Sequence, residues 1–259
     1  MRRIFLIIQS RQLQGLFLPI AMVLLWELSL RLSWLPASLI APPSSVMSAF
    51  VALIKNGDLW LHTLVSVRRL AVGFSLGCVS GIIMGLAIGL SKQLERFFMP
   101  TFLLLAPIPI IAWIPLFIIV FGIDGARFAI VAFGSFFILL FGSVEGIRST
   151  DDDLVDMARM YGKSQSELMK CVLFPSATPN IFQSLRTAMA MSWILLIMAE
   201  IIASSSGLGW LLWDSRNFGR SDDMIVAMIT IGLLGKLADS FIVFLSKRAL
   251  WWRKTFVGQ

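Results

Sequence analysis

Six runs of apolar residues, each long enough to cross a bilayer, constrain this 259-residue chain more than any other feature. A membrane hydrocarbon core is roughly 30 Å thick, so a helix rising about 1.5 Å per residue needs about 20 apolar residues to cross it. The runs are 13–32, 64–90, 98–121, 127–147, 181–203 and 224–245. Only helices and closed barrels satisfy the backbone in lipid, and none of the runs alternates as barrel strands would. The expectation is an all-α polytopic membrane protein, a single transmembrane domain over 1–259 with six helices. Composition agrees: 58% of residues are apolar and 14% charged, with a mean hydropathy of +0.85, which excludes an ordinary soluble domain at roughly 25% charged. The apolar run 4–8 is too short for a signal-peptide core, and Gln9, Ser10 and Arg11 follow it, so the first helix is expected to be retained.

Basic residues at the span ends set the orientation. Fourteen of the 22, among them Arg2, Arg3, Arg11, Lys92, Arg96, Arg148, Arg186, Lys247, Arg253 and Lys254, fall on one side. Seven, including Arg68 and Arg69, fall on the other, and Lys236 lies inside a span. This bias predicts cytoplasmic termini. Most connections are short, but the cytoplasmic segment 145–180 is long and has the composition of ordered structure. Asp151, Asp152 and Asp153 suit a helix N-terminus, and Leu154, Val155, Met157, Ala158 and Tyr161 follow at helical spacing. Gly162 stands where a left-handed cap is needed. Ser164 and Glu167 then form a capping-box pattern opening a second helix, which Pro175 is expected to stop, with Thr178 and Pro179 starting the fifth span.

Within that loop, Asp156-Met157-Ala158, Gly162, Val172 and Phe174-Pro175 keep the spacing of a permease signature: Glu-Ala-Ala, three residues, Gly, nine residues, Ile, one residue, Leu-Pro. Here Asp stands for Glu, Met for Ala, Val for Ile and Phe for Leu. The chain therefore resembles ABC importer permeases. Further stretches resemble the nitrate, sulfonate and taurine branch, with aliphatic sulfonate permeases the nearest: Arg69-Leu70-Ala71-Val72-Gly73-Phe74, Pro107-Ile108-Pro109, Trp113-Ile114-Pro115, Ala199-Glu200 and Ser206-Gly207-Leu208-Gly209. The resemblance implies the type I importer permease fold, with 145–180 as the coupling loop. Asp153, Asp156, Met157, Ala158, Tyr161 and Gly162 would meet an ATP-hydrolysing subunit. It also implies a homodimer of permeases, two ATP-binding cassette subunits carrying ATP and Mg, and a periplasmic or lipoprotein substrate-binding protein. No cofactor is expected in this chain, and no nucleic acid as partner. Transport of a small anion such as an aliphatic sulfonate, taurine or nitrate is implied, with bicarbonate or a pyrimidine vitamin precursor as alternatives.

Other patterns carry less. Gly162-Lys163-Ser164 resembles the end of a phosphate-binding loop, but Met157 stands where that loop needs glycine. His62, Cys78 and Cys171 are too few for a zinc site or a disulfide framework, and His62 is the only histidine for a Ser/His/Asp triad. Glu27, Glu200 and Asp239 sit in spans but in no protease motif, so the chain reads as a non-catalytic subunit. An ATP-independent secondary transporter would show inverted repeats, and none is evident. Gly73, Gly77, Gly81, Gly85 and Gly89 recur every four residues on the second span, predicting a groove for a closely crossing helix. Pro100, Pro107, Pro109 and Pro115 crowd the third span, predicting either a bent helix or a broken one at a gate. Pro107, Pro109, Trp113, Pro115, Trp193 and Glu200 are the candidates for pathway or gate. Lys236 and Asp239, three apart, are expected to pair along one helix, and Arg68 and Arg69 to snorkel.

Overall fold

The computed structural model describes residues 2–32, 34 and 40–251, with side chains from Phe17 onward. Arg253 and Lys254 lie outside the described residues, as do the side chains of Arg2, Arg3 and Arg11. All regular structure among the described residues is helical. Four of the described helices are long and apolar enough to cross a membrane: Asp58–Leu90, Ile110–Arg148, Gln165–Ala203 and Ser221–Ala249.

The chain forms two compact units. One takes in residues up to His62 together with Leu211–Thr230. It holds α1 (Arg2–Arg31), which contains the expected first span, and α2 (Pro43–Lys55), a helix the length test passes over. Pro43 occupies the first turn of α2, where a missing N–H costs nothing, and Val46, Ala49 and Leu53 form its buried face at helical spacing. Glu27 of α1 satisfies a free amide there, accepting from the Ser44 backbone N–H at 3.2 Å while Arg31 Nε donates to it at 2.8 Å. In the same unit Arg220 Nη2 donates to Asp214 Oδ2 at 2.7 Å, and its Nη1 lies 3.2 Å from Asp223 Oδ2. These ion pairs pin the turn between α9 (Leu208–Asn217) and α10 (Ser221–Ala249).

The other unit comprises Thr63–Trp210 and the chain from Ile231. Its frame is α3 (Asp58–Leu90), α5 (Ile114–Arg148) and α8 (Phe174–Ala203). The glycine stripe of α3 lies against α5 throughout. A Cβ on Gly73 would sit 2.8 Å from the Phe128 carbonyl oxygen, on Gly81 2.6 Å from that of Phe136, and on Gly85 2.5 Å from that of Leu140. Numbers rise together on both helices, so α3 and α5 run parallel. Four residues turn a helix by about 400°, and a contact kept over four such steps requires the partner to follow the drift. The expected groove is present, and α5 fills it. On its other side α5 meets α8 in the antiparallel sense, with Gly134, Gly142 and Gly146 opposite Leu195, Ser184 and Ala177.

The expected span 98–121 is not one helix. α4 (Lys92–Leu105) ends before Pro107, a 3-10 turn covers Ile110–Trp113, and α5 begins with Pro115 in its first turn. Pro107 and Pro109 each remove a rung of the hydrogen-bond ladder, and the helix is interrupted there. Gly122, at φ +71° and ψ 172°, interrupts α5 a second time. Aromatic rings bridge the break: Phe102 stands edge-on to Phe137 at 5.9 Å, Phe137 meets Phe133 at 4.9 Å, and Trp113 packs on Phe133 at 5.1 Å.

Candidate functional site

The loop joining α5 to α8 is built from local signals. Asp151 accepts from the Asp153 N–H at 3.0 Å and opens α6 (Asp152–Met160). At the other end Lys163 N donates to Ala158 O at 3.1 Å and Gly162 N to Arg159 O at 2.9 Å, the paired bonds of a Schellman cap. Gly162 takes φ +73°, which other L-residues adopt only under strain. Ser164 opens α7 (Gln165–Leu168) with both bonds of the capping box: Glu167 N donates to Ser164 Oγ at 3.3 Å, and Ser164 N to Glu167 Oε2 at 2.9 Å. Lys163 Nζ donates to Glu167 Oε1 at 3.0 Å, and that bond holds the Lys163 ammonium above its ordinary pKa.

Pro175 does not stop the second helix. A π turn (Met169–Leu173) carries α7 directly into α8, and Pro175 falls in the first turn of α8, where its absent N–H is not needed. Thr178 is inside α8, its hydroxyl donating to Phe174 O at 2.7 Å, so it is not a cap. Asn180 Nδ2 donates to Ser149 Oγ at 2.9 Å, and Arg148 pairs with Glu95, which ties both ends of the loop to the helices beneath.

The residues assigned to coupling are gathered on α6 and its cap. Asp153, Asp156, Met157, Tyr161 and Gly162 are exposed and Ala158 is half-buried. Leu154, Met157, Met160 and Tyr161, at spacings of three and four, leave an apolar face open, with Tyr161 80% exposed. Single exposed apolar residues are ordinary, but a run on one helix face beside acidic groups fits a docking surface.

The gate candidates separate into two places. Trp113 and Trp193 share one apolar cluster with Ile114, Leu196 and Ala199, Trp193 being buried. Pro107 and Pro109 lie in the break before it, and Pro115 in the turn after it. Glu200 is elsewhere, fully buried at the Ala203 end of α8. Arg69 Nη1 donates to its carboxylate at 2.8 Å, Ser66 Oγ donates at 2.9 Å, and Gly209 N donates at 2.9 Å. Ser66 Oγ also accepts from Leu208 N at 2.8 Å, so the first two amides of α9 are satisfied by α3 and α8. Arg69 goes on to Ser206 O at 2.7 Å. It is buried, not snorkelling as expected, because Glu200 and the 204–206 turn satisfy its guanidinium inside the protein. Arg127 Nε donates to Ala203 O at 3.0 Å and Nη1 to Asp124 at 2.6 Å, placing a cation at the C-terminus of α8. Among the described residues, no group of three or more His, Cys, Asp or Glu side chains is placed to hold a metal ion.

A second long-range pair was not visible in spacing. Arg186 of α8 grips Asp239 of α10 through two bonds, Nε to Oδ1 at 2.5 Å and Nη2 to Oδ2 at 3.2 Å. Arg186 lies twelve residues after Phe174, inside α8. Lys236 does approach Asp239 as expected, at 3.5 Å, but as the weaker partner.

A helical bundle whose interhelix loop carries a spaced permease signature can be compared with known proteins, and the profile of binding-protein-dependent transport system inner membrane components matches residues 77–251. The chain belongs to this family. The permease is 39% identical over 241 residues to an Escherichia coli protein named as the aliphatic sulfonates transport permease SsuC, covering 93% of the chain and 92% of that protein. A Bacillus subtilis protein of the same name is 32% identical over 247 residues, covering 95% and 90%. Among solved structures, the inward-facing MetNI methionine ABC transporter superposes with a TM-score of 0.60 at 17% identity, over 71% of this chain and 91% of that one, a likeness of fold. The permease thus has the type I ABC importer permease fold, and it is a non-catalytic, multi-pass membrane subunit.

Proposed function

We propose that the permease imports a small anion such as an aliphatic sulfonate, taurine or nitrate by alternating access. It works as a homodimer with two ATP-binding cassette subunits on the cytoplasmic side and a substrate-binding protein outside, both termini being cytoplasmic. Similarity to two proteins named as sulfonate permeases supports the substrate class. The coupling reading rests on one observation above all: α6 is capped at both ends, yet leaves Leu154, Met157, Met160 and Tyr161 uncovered. A rigid short helix with a free apolar face is suited to sit in a groove of the ATPase and pass its closure to α5 and α8. Closure of the ATP-loaded pair would open the pathway outward, and hydrolysis would reset it.

The test is Gly162→Val. No atom lies within 4 Å of where its Cβ would be, so the substitution acts through the φ of +73° and not through a clash. The strain, about 1–2 kcal/mol or more for a β-branched residue, frays the cap that sets α6. The chain is expected to remain in the membrane while co-purification of its ATPase is lost. Unchanged transport in this variant would sink the coupling assignment.

A further inference from the structure

Arg186, Lys236 and Asp239 meet inside α8 and α10, within the apolar stretches 181–203 and 224–245 read above as spans, where charges are costly. At about 1.5 Å per residue Arg186 lies roughly 18 Å along α8 from Phe174 and 26 Å from Ala203, and Asp239 is similarly remote from both ends of α10. Yet the side chains of Arg186 and Lys236 are 51% and 74% exposed. Charged groups at the middle of a span face water or a partner, because facing lipid is expensive. A pocket of about 400 Å³ opens at this point, within the range of small-molecule sites, roughly 300–1,000 Å³. Arg186, Asp239, Gln183 and Thr187 line it, and Gly235 leaves space at its wall. Two cations against one carboxylate leave a net charge of +1. Asp239 occupies the guanidinium fork, while Lys236, only 3.5 Å from Asp239 and largely exposed, is able to swing toward the pocket.

We infer that this pocket on α8 and α10 is a binding station for the oxyanion group of the transported solute, a sulfonate or similar tetrahedral or planar oxyanion. The inference rests on the importer reading above and names the residues that would handle its substrate. A planar fork matches two oxygens of such a group, and the ammonium of Lys236 supplies further donors. Asp239 holds the fork in position when the pocket is empty and competes with the incoming anion, which keeps binding weak enough for release. Nothing is transformed chemically; the station only exchanges one oxyanion for another on Arg186.

The experiment uses the complete importer, permease with its ATPase and binding protein, in proteoliposomes, with radiolabelled ethanesulfonate as probe. Arg186→Gln and Lys236→Gln are each expected to lower uptake about ten-fold or more, the size of one lost charged hydrogen bond, while the complex still assembles by size-exclusion chromatography. The double variant Arg186→Met with Asp239→Met removes the ion pair without leaving a lone charge, so folding is preserved if the single variant fails to assemble. Uptake that stays low in the assembled double variant supports the station. Uptake restored by the neutral pair, or unaffected by Lys236→Gln, shows that the charges serve packing only and overturns it. Wild-type vesicles that take up neither ethanesulfonate nor nitrate would refute the anion-import reading itself, and the station with it.

Discussion

The Arg69–Glu200 pair is the contact on which the Ala203 end of α8 turns, and its energetics are open to a double-mutant cycle. Glu200 is fully buried and accepts from Arg69, Ser66 and the Gly209 amide, while Arg69 is 8% exposed and keeps Ser206 O as a second partner. Breaking a buried ion pair by removing one partner costs about 3–5 kcal/mol, because a charge is left inside without compensation. Glu200→Met should therefore destabilise by about that much, toward the lower end, since Arg69 retains the Ser206 carbonyl. Arg69→Met leaves the carboxylate with only Ser66 and Gly209 and should cost a similar amount, again about 3–5 kcal/mol. In the double variant no charge is stranded, and what remains is mainly the orphaned Gly209 amide, about 1–3 kcal/mol. The two single costs should thus exceed the double cost by roughly 3 kcal/mol or more, a coupling far above the 0.5 kcal/mol within which independent sites add. Unfolding in mixed micelles against rising SDS, followed by tryptophan fluorescence, measures all three. Additive single and double effects would refute the claim that these residues stabilise one another.

Two further predictions concern the glycine stripe and the capping box. Gly77→Ala would place a methyl group 2.0 Å from Ser135 Oγ and 2.3 Å from the Ala132 carbonyl oxygen, and should cost about 1–3 kcal/mol in the same assay. Gly232→Ala meets nothing within 4 Å and should be neutral or stabilising by up to about 1 kcal/mol, so equal effects at the two glycines would contradict the packing argument. Ser164→Ala removes one half of the capping box, and at about 0.5–2 kcal/mol the α7 amides should exchange with solvent several-fold faster, whereas unaltered exchange at Glu167 and Leu168 would show the cap to be idle.

What the sequence made legible was local. The Asp151 cap, the left-handed Gly162 and the Ser164–Glu167 box each act over two to four residues, and each is found where spacing places it. The α3 stripe was legible for the same reason, although its partner was not: nothing in residues 73–89 points to α5, whose residues facing the stripe, among them Phe128, Ala132, Phe136 and Leu140, carry no matching small-residue pattern. α2 carried its signals too, a proline at the start and apolar residues three and four apart, but at 13 residues it falls below a filter set by bilayer thickness. Charge pairing divides along the same line. Lys236 and Asp239, three apart, were readable as neighbours, whereas Arg186 lies 53 residues from Asp239 and Glu200 131 from Arg69, distances at which only the fold decides who meets whom. The prolines of the third expected span showed that the ladder must fail somewhere, but bend or break depends on what packs across the gap, here the rings of Phe102, Phe137, Phe133 and Trp113.

The parallel seam between α3 and α5 limits how the protein is able to change shape. At four of the five glycines an α5 carbonyl oxygen lies against the α3 backbone, so little rotatable side chain stands between them to absorb a small slip, and the notches on α3 recur only once per four residues, roughly 6 Å of helix. Displacement by any fraction of that interval would lift carbonyl oxygens of α5 out of their notches and onto side-chain-bearing flanks. The seam therefore acts as a detent: α3 and α5 form one rod, and the alternating-access cycle proposed above would take up its sliding or tilting elsewhere, at the two interruptions around Pro107–Pro109 and at Gly122.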